Sequence, residues 1–160
     1  KYFQKSNFFI HGSAIMLKNR LILLIGKSGR GKTTISYKAA YNGFKVLSDE
    51  MVLIDYRENT FFAQGTPFGK ISDGPLLGEI DCIMILKQSS ENCFKSISAV
   101  QAFSYAWSDS YYRGRKISLQ RKKEVFNNMF NLFSTKKCYE MEFRNDFDQW
   151  DELIELCDKQ

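Results

Sequence analysis

Two short strings hold the residues best suited to chemistry. The first, Gly26-Lys27-Ser28-Gly29-Arg30-Gly31-Lys32-Thr33, satisfies G-x-x-x-x-G-K-[ST]. In that pattern backbone N–H groups surround nucleotide phosphates, the Lys reaches the β- and γ-phosphates, and the hydroxyl ligates Mg²⁺. At ordinary residue usage chance gives this string in well under ~1% of chains of this length. Thr34 follows at the start of the expected helix, where anions are favoured and an α-phosphate contact is available. The second string is Ser48-Asp49-Glu50, between the apolar runs Phe44 to Leu47 and Met51 to Ile54. Charge flanked by apolar residues is costly unless it is used. Carboxylates one helix downstream of a phosphate loop can hold Mg²⁺ and accept a proton from an attacking hydroxyl. The bland alternative is a solvated turn between strands.

His11 is the only histidine and precedes Gly12 in an apolar stretch. A lone His is more commonly a satisfied, partly buried residue, and its nearness to the phosphate loop is what brings it into consideration. The segment Ser108 to Lys116, SDSYYRGRK, places Arg113, Arg115 and Lys116 among aromatics. These cations are able to reach a phosphate or an acidic substrate, although most charge runs are simply solvated.

Positioning these residues requires a particular order of elements. Leu21 to Ile25 reads as a buried strand feeding the Gly-rich turn, and Thr33 to Asn42 as a helix stopped by Gly43. Phe8 to Leu17 precedes it as a strand, joined by a tight turn at Lys18-Asn19-Arg20. Strands are expected at Phe44 to Leu47 and Met51 to Ile54, then a turn over Tyr56 to Thr60 and a strand over Thr60 to Ala63. Gly65 to Gly78 forms a Gly/Pro-rich loop, and Ile80 to Leu86 a further strand before a turn at Ser89 to Asn92. Ser98 to Gln101 fits a capping box for a helix to about Trp107. Ser118 caps a longer helix whose stripe of Leu119, Val125, Phe126, Met129, Phe130, Leu132 and Phe133 is expected in the core. Cys138 to Arg144 alternates as a half-buried strand with Tyr139, Met141 and Phe143 on one face. A last helix from about Asp146 is expected to bury Trp150, Leu153, Ile154 and Cys157.

At 160 residues the chain is expected to form one domain, 1–160, of α/β class. Its net charge of +5 is no nucleic-acid signature, since an anionic nucleotide is partner enough. There is no signal peptide or long apolar run, no C-x-x-C and no zinc-ligand spacing among the 4 cysteines. A cytoplasmic, reduced protein that binds neither membrane nor nucleic acid is expected. The chain opens on Lys1 rather than Met, so a preceding domain stays open.

Taken together, FIHGSAIML, GKSGRGKTT and GFKVLSDEMVLID resemble, in that order, the catalytic domain of HPr kinase/phosphorylase. That family combines a phosphate loop with a phosphoenolpyruvate-carboxykinase-like mixed sheet and flanking helices. The later chain, with Gly65-Thr66-Pro67-Phe68 and a strand ending near LKQS, resembles more the short, single-domain members that accompany bacterial peptide-tailoring genes. The resemblance implies ATP and Mg²⁺ as cofactors, and phosphoryl transfer to a hydroxyl, a serine of a peptide or small protein. It implies that Asp49 is the general base, that Glu50 helps Thr33 and Asp49 hold the metal, and that His11 orients the acidic pair. Arg113 or Arg115 would stabilise the transferring group, and self-association is possible in such a family. The family's E-I-R-G signature is degenerate here, as Glu79-Ile80-Asp81-Cys82, which speaks against phosphorolysis. Two alternatives remain at this level: a nucleotide-gated binding module without transfer, and a fragment of an HPr(Ser) kinase/phosphorylase.

Overall fold

A computed structural model describes residues 7–158; the outermost parts of the expected 1–160 domain, 1–6 and 159–160, lie outside the described residues. The elements in chain order are β1 (Phe8–Leu17), β2 (Arg20–Ile25), α1 (Lys32–Tyr41), β3 (Lys45–Ser48), β4 (Met51–Arg57) and β5 (Thr60–Gln64). They are followed by β6 (Leu77–Gln88), β7 (Cys93–Ser96), α2 (Ala99–Ser108), α3 (Leu119–Thr135), β8 (Lys137–Phe143) and α4 (Trp150–Asp158). The expected mixed sheet with flanking helices is what forms.

β1 organises the sheet because it has three partners. Phe8 to His11 pair antiparallel with β4, whereas its second half pairs with β2 on one side and β3 on the other. β6 is the other hub: its start pairs antiparallel with β5, and the rest runs parallel to β2 and to β8. The ladders therefore close a circuit β1–β4–β5–β6–β2–β1, with β8 and β7 extending beyond β6. β2 and β6 are buried on both faces, as parallel strands covered by helices must be. One core lies between the sheet and α2 with α3, around Leu23, Ile83, Phe103, Val125 and Phe133. The other lies under α1 and α4, around Ile22, Ile35, Met84, Phe143 and Trp150.

Several boundaries differ from the expected ones. β4 continues to Arg57, because the reversal takes only two residues, Glu58 (φ 52°) and Asn59 (φ 64°), both in the conformation a mirror-type hairpin turn requires. β6 begins at Leu77 and runs to Gln88, longer at both ends than the apolar run Ile80 to Leu86. β7 was not expected: CFKS is too short and polar to signal a strand, and its pairing with β8 comes from tertiary context. α4 starts at Trp150, not Asp146, since Phe147 and Trp150 close turns onto Arg144 and Asp148. On α3 only Val125, Met129, Leu132 and Phe133 are buried. Phe126 and Phe130 sit at the rim, edge-on to Phe103 of α2, and Leu119 is exposed. β8 does present Tyr139, Met141 and Phe143 to one core, but Cys138 enters the other, so the strand is covered on both faces. Cys82 and Cys157, 75 positions apart in the chain, bring their sulfurs to 2.7 Å, and all four cysteines are free thiols.

Candidate functional site

The site forms where the parallel strands β2 and β6 end, the edge of an α/β sheet at which crevices open. From Ile25 the chain enters the loop Gly26 to Gly31 and turns into α1. Gly31 is the N-cap of α1 at φ 96°, with no side chain capping the helix. A Cβ there would lie 2.3 Å from the Phe143 ring, so this position requires glycine for conformation and for space. The first α1 hydrogen bond is Ile35 N–H to Gly31 O, which leaves the N–H groups of Lys32, Thr33 and Thr34 ahead of the helical ladder. Lys32 is buried, and its ammonium donates to the carbonyls of Gly26 and Lys27. Burial pushes its pKa down, partly opposed by the negative charges of Asp109 and Glu50. Lys27, Ser28, Gly29 and Arg30 form the exposed tip.

β1 brings the acidic link to this loop. Ser48 ends β3 opposite Ala14, Met51 begins β4 opposite His11, and the Gly12 N–H donates to Glu50 O at 3.0 Å. Beneath them, Ser13 and Ser36 meet hydroxyl to hydroxyl at 2.5 Å, with Ser48 O accepting from Ser13 and Lys32 O from Ser36. This buried chain fixes α1 against the acidic link, two segments that are remote in sequence.

Asp49 is buried and Glu50 exposed. Asp49 Oδ1 accepts the backbone N–H groups of Lys70 (2.8 Å) and Ile71 (3.1 Å), so the Gly/Pro-rich loop is folded onto the carboxylate. Gly69, at φ 113°, makes that approach possible: a Cβ there would fall 2.1 Å from Asp49 Oδ1. Ser48 Oγ donates to Phe68 O, and Thr66 Oγ1 to Met51 O, pinning the loop from both sides.

A polar cleft of about 230 Å³ is lined by His11, Ser28, Gly29, Gly31, Lys32, Thr33, Thr34, Asp49, Glu50 and Gln88. It gathers four separate sequence segments. Gly26, Lys27 and Arg30 line a second hollow on the other side of the loop. His11 Nδ1 lies 2.8 Å from Asp109 Oδ2, so its partner is that carboxylate and neither member of the acidic link. Arg113 and Arg115 do not line the cleft: Arg113 donates to Ser108 O, and Arg115 stacks on Tyr111 with its guanidinium carbon 4.3 Å from the ring centre. Sequence reading passed over Gln88 and Asp109. Gln88 carries no pattern, whereas Asp109 stands in the same loop as Arg113 and Arg115, whose cations drew the attention.

The donor set fits a nucleotide triphosphate with Mg²⁺. A buried ammonium answered only by carbonyls, beside three N–H groups at a helix start, suits phosphate oxygens. Thr33, Asp49 and Glu50 supply one hydroxyl and two carboxylates to one cleft, and among the described residues no cluster of three or more His, Cys, Asp or Glu forms a metal cage. Such a set suits an ion that keeps waters and shares phosphate oxygens.

Comparison with known proteins bears on the fold. No family model matches this sequence. No curated protein matches it either. Among solved structures, the HPr(Ser) kinase/phosphatase from Coxiella burnetii superposes with a TM-score of 0.50 at 9% identity, covering 94% of this chain and 87% of that chain. The chain thus shares the HPr-kinase-like α/β fold. Among the described residues no helix is long and apolar enough to cross a membrane.

Proposed function

We propose that this chain is an ATP-dependent kinase that transfers the γ-phosphoryl group to a hydroxyl, a serine of a peptide or small protein. One observation carries the reading: Lys32, Thr33, Asp49 and Glu50 line one cleft. The loop from Gly26 to Gly31, with the N–H groups of Lys32 to Thr34, binds the phosphate chain, and the Lys32 ammonium swings from the loop carbonyls onto its β- and γ-oxygens. Thr33 and Glu50 would hold Mg²⁺ directly and Asp49 through a water, and the ion would neutralise charge on the phosphates.

Asp49 is the general base. With Oδ1 occupied by the amides of Lys70 and Ile71, Oδ2 is the oxygen that takes the acceptor's proton. The acceptor oxygen forms its bond to the γ-phosphorus as the bond to the β–γ bridging oxygen breaks, and that electron pair leaves on ADP. His11, held by Asp109, lines the cleft on the side of the acidic link and helps shape it.

A second reading has an observation of its own. Because the Gly/Pro-rich loop hangs on Asp49, nucleotide binding could order that loop around a partner without any transfer. ADP release measured with and without candidate acceptors separates the two. Acceptor-dependent ADP with a labelled product supports the kinase, and ATP-dependent partner capture without label supports the binding module. The likeness to an HPr(Ser) kinase/phosphatase makes HPr the first protein to try as acceptor.

A further inference from the structure

A further, apolar pocket of about 360 Å³ is lined by Phe9, Met51, Phe68 and Tyr111. Each of these residues neighbours one on the carboxylate side. Phe9 is two positions from His11 on the same face of β1, Met51 follows Glu50, Phe68 precedes the Gly69 that meets Asp49, and Tyr111 is two positions from Asp109. None neighbours the loop Gly26 to Gly31. The pocket therefore opens beyond the general base as seen from the phosphate loop, on the side where an acceptor must approach.

Its walls are built and yet uncovered. The Phe68 carbonyl accepts from Ser48 Oγ and its N–H approaches Thr66 Oγ1, while the rings of Phe68 and Tyr111 are 57% and 43% exposed. Large aromatics left open beside a reactive centre are the usual mark of a recognition surface. The rim is basic: Arg115 stacks on Tyr111, and Arg113 and Lys116 are exposed beside it. His11 and Phe9 are two positions apart on β1, roughly 7 Å along a strand. An extended peptide covers the same distance in two residues, with both side chains on one side.

We infer that Phe9, Met51, Phe68 and Tyr111 form an acceptor pocket, which takes a bulky apolar side chain two residues from the phosphorylated hydroxyl of an extended, acidic peptide. The inference rests on the kinase reading above. Arg113, Arg115 and Lys116 then face the acidic groups of the acceptor.

The test uses the whole chain, Mg²⁺, γ-labelled ATP and two synthetic peptide pools. Each pool has one Ser in an acidic background, with either Leu and Phe or Ala at the positions two residues away. Wild type should show kcat/KM about tenfold higher or more on the apolar pool, the scale expected for seating one large apolar side chain. Phe68→Ala and Tyr111→Ala should reduce that preference to roughly threefold or less through the KM for peptide, and Phe68→Leu should restore most of it. Labelling of both pools at equal efficiency by wild type overturns the inference and leaves the kinase reading standing. A matching rise in the KM for ATP in Phe68→Ala also overturns it, by assigning the pocket to the nucleobase. No label in any pool overturns the kinase reading and the inference with it.

Discussion

The start of β6 and the cleft beyond its other end treat charge in opposite ways, although Lys87 near that end also pairs with Glu140 and Glu142. At its start, Asp81 accepts the Leu21 N–H at 2.7 Å and pairs with Arg20 at 3.1 Å, and Glu79 pairs with Lys136 at 3.2 Å while accepting from Thr60. Arg20 also reaches Asp158 of α4. Every ionised group there has a protein partner of opposite sign. Beyond its other end, Lys32 is answered by carbonyls and Asp49 by amides, and among the described residues neither Asp49 nor Glu50 forms an ion pair. Charges that already have partners hold strands and helices in register. Charges left with neutral partners are what a ligand of high charge can still use.

Substitutions at the two ends should accordingly separate function from stability. The largest effect is expected for Lys32→Met, which should lower kcat/KM for transfer by about 10²–10³. Its thermal midpoint should be unchanged or higher, because a buried charge gives way to an apolar chain of similar shape. A variant that unfolded would show that Lys32 is structural. At the opposite end, Asp81→Ala leaves the buried Leu21 N–H without its acceptor and should lower stability by about 1–3 kcal/mol in urea titrations, with transfer largely retained. Lys136→Met breaks a pair with Glu79 in which the lysine is largely covered and the carboxylate exposed, and should change stability by about 1 kcal/mol or less; a larger loss would mean that this corner is more tightly held than the exposure of Glu79 indicates.

The comparison also predicts a pH dependence. Burial lowers the Lys32 pKa in the folded chain, so between that value and the ordinary lysine range the unfolded chain binds more protons and stability rises with pH. The cost is fully present below the lowered value and is relieved as pH climbs through this window. Urea titrations at pH 8 and pH 10 should show wild type gaining stability relative to Lys32→Met, a gain that would be missing if the ammonium were freely solvated. Cys138, whose thiol burial pushes up to about 12, should resist thiol reagents in the folded protein at either pH.

Much of the fold was legible because local signals agreed. The Leu21 to Ile25 run, the Gly-rich turn and Gly43 bounded one strand–loop–helix unit, and the capping box at Ser98 forms as its spacing implies. What escaped depends on contacts between distant segments. β7 exists because β8 offers an edge, and Cys82 meets Cys157 only because α4 folds back over β6. The residues of the cleft other than Gln88 were nominated from sequence, but its construction was not. The Ser13–Ser36 contact, the Asp109 partner of His11 and the hold of Lys70 and Ile71 on Asp49 span 23, 98, 21 and 22 positions, beyond any local pattern. Arg113 and Arg115 show the converse: a charge run marks a surface, and only the fold decides which site it flanks.

The central claim is that Asp49 turns a phosphate site into a kinase. The most direct measurement incubates wild type and Asp49→Asn in parallel with γ-labelled ATP, Mg²⁺ and a lysate of the source organism, followed by phosphoamino-acid analysis, with ATP binding checked by calorimetry. The account predicts phosphoserine in a discrete product with wild type alone, while both proteins bind ATP. Equal labelling by the two proteins would remove Asp49 from its role, and ATP binding by both with label in neither would contradict phosphoryl transfer itself.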